Sequence, residues 1–274
     1  MPGDYHERTH WNRVFDRDEP AAPSRGSAAV IDSVAAVLGP RDGRGILLDV
    51  GCGSGALIRE LAGRWTGIGA DFSVRALSRA ATLPGGGAWI CADAHRLPIA
   101  TGSVAAITCL STLWTFAEPQ RVLAEAARVM EADGRLIVHL WSGARQCRLV
   151  SLGAVAIGKV VPAARLDHGA VGPFELTPER VAGQIRTAGL STDGWVTGSY
   201  HRTVNGTAEY WAEFADLAPT AYYLYQESSP AQRRQIDALL TRLLQVANHD
   251  EDGPRLGLNW TIGIARRRDQ STSP

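Results

Sequence analysis

The chain has 274 residues, of which 45% are hydrophobic, and its 28 basic and 28 acidic residues balance to no net charge at neutral pH. This is enough apolar material for one well-filled domain, or for one domain with an elaborate cap. The balanced charge argues against a nucleic-acid partner, because such proteins usually carry a basic surface. We find no signal pattern and no apolar stretch long enough to span a bilayer, so we expect a cytoplasmic protein that does not bind membranes.

The first forty residues predict two helices. A polar and aromatic stretch, HERTHWNRVFD, is predicted to form a short helix, and apolar residues at helical spacing predict a second helix over 27–38. Gly39 and Pro40 provide the stop signal of that second helix. We therefore treat residues 1–40 as an N-terminal region of helices that precedes the main domain.

The most informative segment reads LLDVGCGSGALIREL. It predicts a strand over 46–50, a turn that carries Gly51, Gly53 and Gly55, and a helix over 55–63. Glycines permit backbone torsions that side chains forbid and let a ligand lie directly against the main chain. The N-terminus of the helix directs unpaired N–H groups at that ligand. The segment therefore predicts a docking place for a nucleotide-like ligand, although the glycine spacing alone fits more than one kind.

After this helix, short apolar strands and amphipathic helices alternate. The predicted elements are a strand over 66–71, a helix over 73–82, strands over 88–91 and 104–110, a helix over 119–130 and a strand over 134–141. This alternation is typical of a parallel sheet covered by helices on both faces. The link between Asp93 and Val104 has room for one additional small helix.

Three aspartates stand at the ends of predicted strands, where open α/β sheets bind their ligands. Asp49 lies two residues before the first glycine, so its carboxylate can meet an ammonium group directly or through water. Asp71 ends the second strand and can accept hydrogen bonds from both ribose hydroxyls, with a surface-turn role as the alternative. Asp93 follows the third strand. A dinucleotide offers Asp49 no ammonium group, whereas the methionine end of S-adenosylmethionine does, so this set favours S-adenosylmethionine.

Four segments in this order and spacing, DVGCGSG, GADFS, ADAHRLP and EAARVMEADGRLIVHL, resemble the motifs of class I S-adenosylmethionine-dependent methyltransferases. The resemblance runs from about Ile46 to Trp141 and points to the small-molecule branch that includes the ubiquinone and menaquinone biosynthesis enzymes. It implies an α/β fold with a Rossmann-like, seven-stranded, mostly parallel sheet, an antiparallel last strand and a helical cap inserted before that strand. SVA at 103–105 and EADG at 131–134 depart from the SFD and KPGG of relatives, which weakens the subfamily assignment more than the fold.

The resemblance also implies a site for S-adenosylmethionine, with S-adenosylhomocysteine as the product, in the loops that follow the first four strands. Phe72 would lie against the adenine and Asp93 would bind its N6, although each has a plain structural alternative. The N-terminal helices would cover the site, with Trp11 over the cofactor, and disorder or simple packing of this segment is the alternative. The predicted cofactor-binding residues are Asp49, Gly51, Cys52, Gly53, Gly55, Asp71, Phe72, Asp93, Ala94, Leu110, Ser111 and Trp11.

The C-terminal half predicts further helices and two strands. Apolar residues over 149–164 predict one helix, and Thr177 with Pro178 begins another that Gly189 ends. LSTDGWVTGSYHRTV and NWTIGIARRR predict the sixth and seventh strands, separated by about fifty residues of helical insert. The predicted regions are an α/β core over 41–200, a cap and acceptor-binding insert over 201–256, a final core strand over 257–268 and a disordered tail over 269–274.

Methyl transfer places modest demands on catalytic side chains. It is an in-line displacement at an activated sulfonium carbon, so the protein mainly aligns the two reactants and excludes water. A general base is needed only for an acceptor that is protonated and weakly acidic. His139, on the fifth strand beside Trp141, and His95 are the candidate catalytic residues. The alternative for each is an ordinary histidine of a strand or a surface.

Aromatic side chains after the fourth strand and in the insert predict the acceptor site, because small-molecule pockets have mostly apolar walls. They suit an aromatic or polycyclic secondary metabolite, and their alternative role is to fill a helical core. The predicted acceptor-binding residues are Trp114, Trp141, Trp211, Phe214, Tyr222 and Tyr223. Apart from this acceptor we expect no partner except a second copy of the chain, so the protein would be a monomer or a homodimer.

Rival activities can be weighed from the segment after the fourth strand, which reads LSTLWTF. A metal-dependent enzyme of the catechol type would need acidic ligands there, so we expect no metal. An enzyme that methylates amino groups of nucleic acids would carry a (D/N/S)PP(Y/F) motif there, and the segment lacks it. An NAD-dependent dehydrogenase, a non-methylating cyclase or pericyclic catalyst of natural-product biosynthesis, and a non-catalytic binding protein remain as alternatives.

Overall fold

The computed structural model describes residues 7–16, 23–39, 45–162, 172–247, 249–250 and 253–268. The tail predicted over 269–274 lies outside these residues. The chain divides into two compact units. The core unit comprises Ile31–Leu140, Leu176–Thr197 and Thr261–Pro274, and the helical unit comprises Met1–Val30, Trp141–Glu175 and Gly198–Trp260.

The strands form one mixed sheet. Those in the described residues are β1 Ile46–Val50, β2 Thr66–Asp71, β3 Ala88–Cys91, β4 Val104–Cys109, β5 Met130–Trp141, β6 Leu190–Thr203, β7 His249–Asp250 and β8 Gly253–Arg267. Their order is β3-β2-β1-β4-β5-β8-β6, and the short β7 pairs with β8. The five strands β1 to β5 pair in parallel, and the last strands are antiparallel. The predicted Rossmann-like fold with a mostly parallel sheet is therefore confirmed.

The centre of the sheet is the pair of neighbouring strands β1 and β4. Every residue of β4 is buried, as are the last four residues of β1. Such continuous burial explains why both strands read as nearly uninterrupted apolar runs. The two exceptions, Asp49 and Thr108, face each other in the register of the pair. Because the strands are parallel, their carboxyl ends meet at one edge of the sheet, where ligands bind in folds of this kind.

Several of the helices begin at a side-chain N-cap. They are α1 Arg8–Val14, α2 Arg25–Leu38, α3 Ala56–Glu60, α4 Val74–Thr82, α5 Pro119–Val129, α6 Arg148–Val160, α7 Pro178–Thr187, α8 Thr207–Leu217, α9 Pro219–Glu227 and α10 Pro230–Gln245. The Thr177 hydroxyl caps α7 and Pro178 is its first residue, as predicted. Ser229 and Gln232 form a capping box for α10. Among the helices of the described chain, none combines the length and the apolar composition needed to cross a membrane.

Three local predictions are corrected by the structure. The helix predicted over 55–63 is shorter, because Gly55 and Gly63 both have φ of +78° and lie outside its helical conformation. The strand predicted over 134–141 begins at Met130, since a shift in its register with β4 absorbs the EADG segment as an irregularity of the strand. The link from Asp93 to Val104 contains turns instead of a small helix.

The helical unit is organised around buried aromatic side chains. Phe214 and Tyr210 on α8 are fully buried, and the ring of Phe214 packs against the backbone of Gly153 on α6. The Tyr210 hydroxyl accepts the N–H of Gly153 at 2.8 Å and donates to the carbonyl of Arg148 at 3.2 Å. The hydroxyl therefore bonds a backbone N–H and a backbone carbonyl of α6, and it holds α8 against that helix.

Candidate functional site

The turn between β1 and α3 folds back onto the end of β2. Gly51, Gly53 and Gly55 all adopt left-handed conformations, with φ of +73°, +54° and +78°. The N–H groups of Gly51 and Cys52 both donate to the carbonyl of Ala70, at 2.8 and 3.2 Å. Because L side chains are strained at such φ values, the turn favours glycine at these three positions.

Two of these glycines also leave space for neighbouring side chains. A Cβ atom on Gly55 would lie 2.2 Å from the ring of Trp89, and one on Gly51 would lie 2.7 Å from Cγ2 of Thr112. A Cβ atom on Gly69, in β2, would lie 2.6 Å from the same Trp89 ring. Trp89 and Thr112 are not among the predicted site residues. A tryptophan on a strand paired with a glycine-rich strand is the signal that could have identified Trp89.

The Asp71 carboxylate holds the glycine turn from the end of β2. Its Oδ2 accepts the N–H of Gly53 and its Oδ1 accepts the N–H of Ser73, both at 2.8 Å. Burial raises the pKa of Asp71, and the hydrogen bonds from Ser73 and Gly53 offset this only in part. Since each carboxylate oxygen can accept more than one hydrogen bond, Asp71 can bind a ligand hydroxyl while it holds the turn.

Asp49, in β1 just before the turn, is 2% exposed. Its Oδ1 accepts a hydrogen bond of 2.6 Å from the Thr108 hydroxyl on β4. Burial raises the pKa of Asp49 to about 7; the Thr108 bond acts to lower it, and the charge of Asp71 acts to raise it. Within the described residues no basic side chain pairs with either carboxylate, so a cationic ligand would relieve both. Thr108 is not among the residues predicted from the sequence. The signal that could have identified it is a hydroxyl side chain in an otherwise apolar strand.

Asp93 and His95 bind each other. Asp93 Oδ1 accepts the main-chain N–H of His95 at 2.9 Å and lies 2.6 Å from His95 Nδ1. The main-chain N–H of Glu118 donates to His95 Nε2 at 3.3 Å, so both ring nitrogens of His95 have partners. Burial acts to raise the pKa of Asp93, but the hydrogen bonds from His95 prevail and lower it. Because the Asp93 side chain is 54% exposed, it remains accessible to a ligand amine.

The loop after β4 brings together three predicted residues beside the glycine turn. Ser111 has φ of +58°, the one positive value at a non-glycine position in the described chain. Its Oγ lies 2.9 Å from Nδ1 of His139 on β5, and its carbonyl accepts Nε1–H of Trp114 at 3.0 Å. The Thr112 hydroxyl donates to the carbonyl of Val50 at 3.2 Å. Burial lowers the pKa of His139 to about 3, so its ring is neutral at physiological pH.

The remaining predicted cofactor residues of the core unit lie at the same strand ends. Cys52 and Ala94 are each 8% exposed, and Phe72 and Leu110 are partly exposed. The core unit therefore brings together the predicted residues that follow β1, β2, β3 and β4. Trp11 belongs to the helical unit, where its ring contacts those of its neighbours in α1. Its contact with the cofactor stays a prediction.

Two predicted acceptor residues have packing roles in the helical unit. Trp211 stacks on Tyr225 with ring centroids 4.5 Å apart, and Phe214 is fully buried. Trp211 Nε1–H donates to Asp237 at 2.8 Å, and the Tyr225 hydroxyl donates to the same carboxylate at 3.0 Å. These contacts satisfy the polar atoms of the cluster internally, which is the pattern of a folded core.

Most of the other predicted acceptor residues are more exposed than Trp211 and Phe214. Trp141 is 7% exposed, and the rings of Tyr222 and Tyr223 are partly exposed. Tyr223 meets the ring of His10 edge-on at 6.5 Å, so α1 packs against α9 in the helical unit. Trp114 is partly exposed in the core unit. Exposed aromatic surface of this kind is suited to a flat ligand, whereas the Trp211 cluster is already filled.

The core-unit site combines a glycine-rich turn, two carboxylates that have no basic partner in the described residues, and apolar side chains at one edge of a sheet. This set suits a ligand that carries an ammonium group, a pair of hydroxyls and a flat ring. The ammonium would meet Asp49, the hydroxyls Asp71, and the ring Phe72. The S-adenosylmethionine molecule has all three features, so the residues present fit it.

A protein-family model described as a methyltransferase domain matches residues 48–138 of the chain. The matched segment covers about a third of the chain and includes the strands from β1 to β5. The glycine turn and the three aspartates of the site all lie within it. Among proteins of curated function, none shows a significant match in sequence.

Solved structures resemble the chain over most of its length. The [4+2]-cyclase SpnF superposes with a TM-score of 0.60 at 19% identity, over 97% of this chain and 97% of that one. A Bacillus halodurans C-125 protein described as a methyltransferase gives 0.56 at 14% identity, over 87% and 99%. A Haemonchus contortus N-methyltransferase in complex with phosphomonomethylethanolamine and S-adenosylhomocysteine gives 0.54 at 13%, over 95% and 57%. The chain thus has the fold of S-adenosylmethionine-dependent methyltransferases.

Proposed function

We propose that this protein is an S-adenosylmethionine-dependent methyltransferase that acts on a small-molecule acceptor. The observation that carries the proposal is the left-handed glycine turn with Asp49 and Asp71 at the ends of adjacent strands. A cofactor with an ammonium group accounts for a buried Asp49 that has no basic partner in the described chain, and a dinucleotide carries no ammonium group. The methyltransferase-domain match over 48–138 supports the same conclusion.

The cofactor contacts follow from the chemistry of each group. Asp49 would neutralise the ammonium of the methionine end, and Asp71 would accept hydrogen bonds from the ribose hydroxyls. The turn over 51–55 lets the ligand approach the main chain, and Phe72 and Asp93 would flank the adenine. When bound, S-adenosylmethionine supplies a methyl group that its sulfonium already activates. The protein then has to orient the acceptor and exclude water.

The acceptor we propose is an aromatic or polycyclic metabolite. Trp114, Trp141, Tyr222 and Tyr223 are the candidates for contact with it, while Trp211 and Phe214 would shape the walls from within the helical core. The resemblance of the motifs to the quinone-biosynthesis branch also favours a ring-bearing acceptor. The balanced charge of the chain favours a small molecule over a nucleic acid or a membrane surface.

We further propose that the enzyme needs no strong general base. A histidine with a pKa of about 3, such as His139, is too weakly basic to deprotonate a phenol efficiently. Nδ1 of His95 lies 2.6 Å from Oδ1 of Asp93, and His95 would have to exchange that contact to act. An acceptor that ionises readily, such as an acidic phenol or an enol, would satisfy both observations.

In the cell, we propose a cytoplasmic enzyme of natural-product biosynthesis that works as a monomer or a homodimer. The balanced charge and the proposed small-molecule site support a metabolic role, because both are typical of metabolic enzymes. Size-exclusion chromatography with light scattering at several concentrations would measure the oligomeric state directly.

The cofactor assignment is tested by ligand-induced thermal stabilisation. S-adenosylhomocysteine at a hundredfold excess over its Kd should raise the melting temperature, because a ligand that binds only the folded state stabilises it by about 2.7 kcal/mol at that excess. NAD and NADH at the same concentrations should leave it unchanged. The reverse pattern would assign the site to a dehydrogenase.

A second candidate function is a non-methylating cyclase or pericyclic catalyst with the same fold and cofactor. The likeness to the [4+2]-cyclase SpnF over 97% of both chains favours it. Incubation with methyl-labelled S-adenosylmethionine and candidate acceptors separates the two. Label in the product supports methyl transfer, whereas product formed without label and only in the presence of the cofactor supports the cyclase. Cofactor binding without any turnover would favour a binding protein.

A further inference from the structure

Ser111 has a backbone conformation that serine seldom adopts. Its φ of +58° lies in the left-handed region, where a β-carbon is strained. Such residues persist only where surrounding contacts hold them, and they cluster at functional sites. Ser111 follows β4 directly and lies beside the glycine turn, so the contacts that hold it are of interest for ligand binding.

A continuous chain of contacts connects β5 to the glycine turn through Ser111. His139 Nδ1 is 2.9 Å from the Ser111 hydroxyl, and the next residue, Thr112, donates its own hydroxyl to the carbonyl of Val50 at 3.2 Å. Thr112 also packs so closely on Gly51 that a Cβ there would be 2.7 Å from its methyl group. Anything that fixes Ser111 therefore also fixes a surface against which the turn rests.

His139 is well placed to provide that fixed point. It is 2% exposed and lies on β5, whose register with β4 pairs Val138 with Cys109. The sheet therefore sets the position of the imidazole. The ring is neutral over the physiological range, since burial keeps its pKa at about 3. Its hydrogen bond with Ser111 is consequently insensitive to pH there.

We propose that His139 is a positioning residue for the cofactor, which holds Ser111 in its left-handed conformation and, through Ser111 and Thr112, keeps the glycine turn in its binding shape. This inference rests on the proposed function, because the ligand of the turn is taken to be S-adenosylmethionine. It assigns His139 no proton transfer. It also explains why a histidine is buried in a strand where an aliphatic residue would pack more readily.

The test measures the Kd of S-adenosylhomocysteine by calorimetry in four variants. His139→Leu removes the ring nitrogen, His139→Asn keeps a polar atom near the place of Nδ1, Ser111→Ala removes the hydroxyl, and a double variant combines His139→Leu with Ser111→Ala. We expect His139→Leu and Ser111→Ala each to raise the Kd about tenfold, and His139→Asn to stay within about threefold of the wild type. The double variant should bind about as weakly as either single variant, because both break the same link.

Ser151→Ala is the matched control. Ser151 is also buried, at 8% exposure, and its hydroxyl donates to the carbonyl of Ala144 at 2.7 Å in the helical unit. Its loss should lower the melting temperature while leaving the Kd of S-adenosylhomocysteine unchanged. Hydrogen exchange of the peptide over 110–116 should accelerate in Ser111→Ala and His139→Leu and remain slow in Ser151→Ala.

Several outcomes would overturn the positioning role. They are a Kd in His139→Leu within twofold of the wild type, a His139→Asn variant as weak as His139→Leu, or strictly additive losses in the double variant. If His139→Leu fails to fold, Ser111→Ala decides the question by two measurements, because loss of a direct cofactor contact alone would raise the Kd without accelerating hydrogen exchange over 110–116. A wild-type protein that does not bind S-adenosylhomocysteine would instead contradict the proposed function, so the two failures are distinguishable.

Discussion

The carboxylate beside the glycine turn of the core unit and the carboxylate in the aromatic cluster of the helical unit have opposite surroundings. Asp49, beside the turn, has the hydroxyl of Thr108 as its donor and a pKa raised to about 7. Asp237, in the cluster, accepts one hydrogen bond from Trp211 and one from the Tyr225 hydroxyl, which lies within reach of both carboxylate oxygens. The first carboxylate is left without a cation in the described chain, and the second is satisfied by its own neighbours.

This difference separates residues arranged for a ligand from residues arranged for stability. A buried acid without a cation is unfavourable in the free protein and becomes favourable when a cation binds, which is why we assign Asp49 to the proposed cofactor site. A cluster whose aromatic rings stack and whose polar atoms are bonded internally needs no ligand to be stable. Substitutions in the cluster should therefore reduce stability first, and substitutions at the turn should reduce cofactor binding first.

Phe214→Ala should produce the largest loss of stability. The ring is fully buried, stacks on Tyr210 and packs on Gly153, so its removal should lower the free energy of unfolding by about 3–5 kcal/mol, measured by urea denaturation. Val155→Ala, at a position 47% exposed in the same unit, should change it by less than about 0.5 kcal/mol. An unchanged stability with altered acceptor binding would make Phe214 a ligand contact and weaken the comparison.

Gly55→Ala should have the next largest effect, and in this variant stability and cofactor binding should both decrease. The new Cβ combines a left-handed φ with a contact of 2.2 Å to Trp89, so we expect a loss of about 2–4 kcal/mol in unfolding free energy and no measurable binding of S-adenosylhomocysteine. Gly63→Ala is the matched control, because Gly63 has the same φ of +78° with nothing within 4 Å. It should cost about 1–2 kcal/mol and leave binding intact. Equal losses in both variants would mean that Trp89 moves aside freely.

Asp71→Ala should weaken the binding of S-adenosylhomocysteine by about 1–3 kcal/mol, the range for losing charge-assisted hydrogen bonds. Isothermal calorimetry measures this directly. Asp237→Ala provides the contrast, since it removes a carboxylate with two donors from the helical unit and should lower stability with no change in Kd. A wild-type Kd in Asp71→Ala would contradict the ribose role of Asp71.

The smallest effect should be a pH dependence of cofactor binding that originates from Asp49. If the ligand ammonium needs an ionised Asp49, binding below pH 7 must first remove a proton, so the Kd should rise about tenfold per pH unit below the Asp49 pKa of about 7. Calorimetry in buffers of different ionisation enthalpy should detect the released proton. Asp49→Asn should bind weakly at every pH and release none, and proton release that survives in this variant would assign the effect to another group.

The same raised pKa has a consequence for the free protein. The folded state binds the Asp49 proton more tightly than the unfolded chain does, so its contribution to stability is full below about pH 4 and is lost as the pH rises through about 7. Asp49→Asn should remove this part of the pH dependence in urea denaturation of the ligand-free protein.

The strands were the part of the fold most readily predicted. β1, β2 and β3 have the predicted bounds, because short apolar runs interrupted by glycine and aspartate match the length of a strand and lack a helical period. The start of β5 was predicted four residues too late, since it depends on pairing with β4 across a register shift. The early end of α3 was missed because nothing local indicates that Leu61 leaves the helix before Gly63.

The sequence by itself determined the local chemistry of the site. Three glycines within five residues permit the left-handed backbone torsions of a tight turn. Aspartates that follow apolar strands come to lie at the carboxyl edge of a parallel sheet. Only the tertiary structure decided the partners of these groups. Thr108 reaches Asp49 across 59 residues of chain, and His139 reaches Ser111 across 28, because strand pairing unites segments that carry no local signal of their contact. Packing likewise decided that Trp211 and Phe214 fill a core, since burial depends on what surrounds a side chain and not on its own identity.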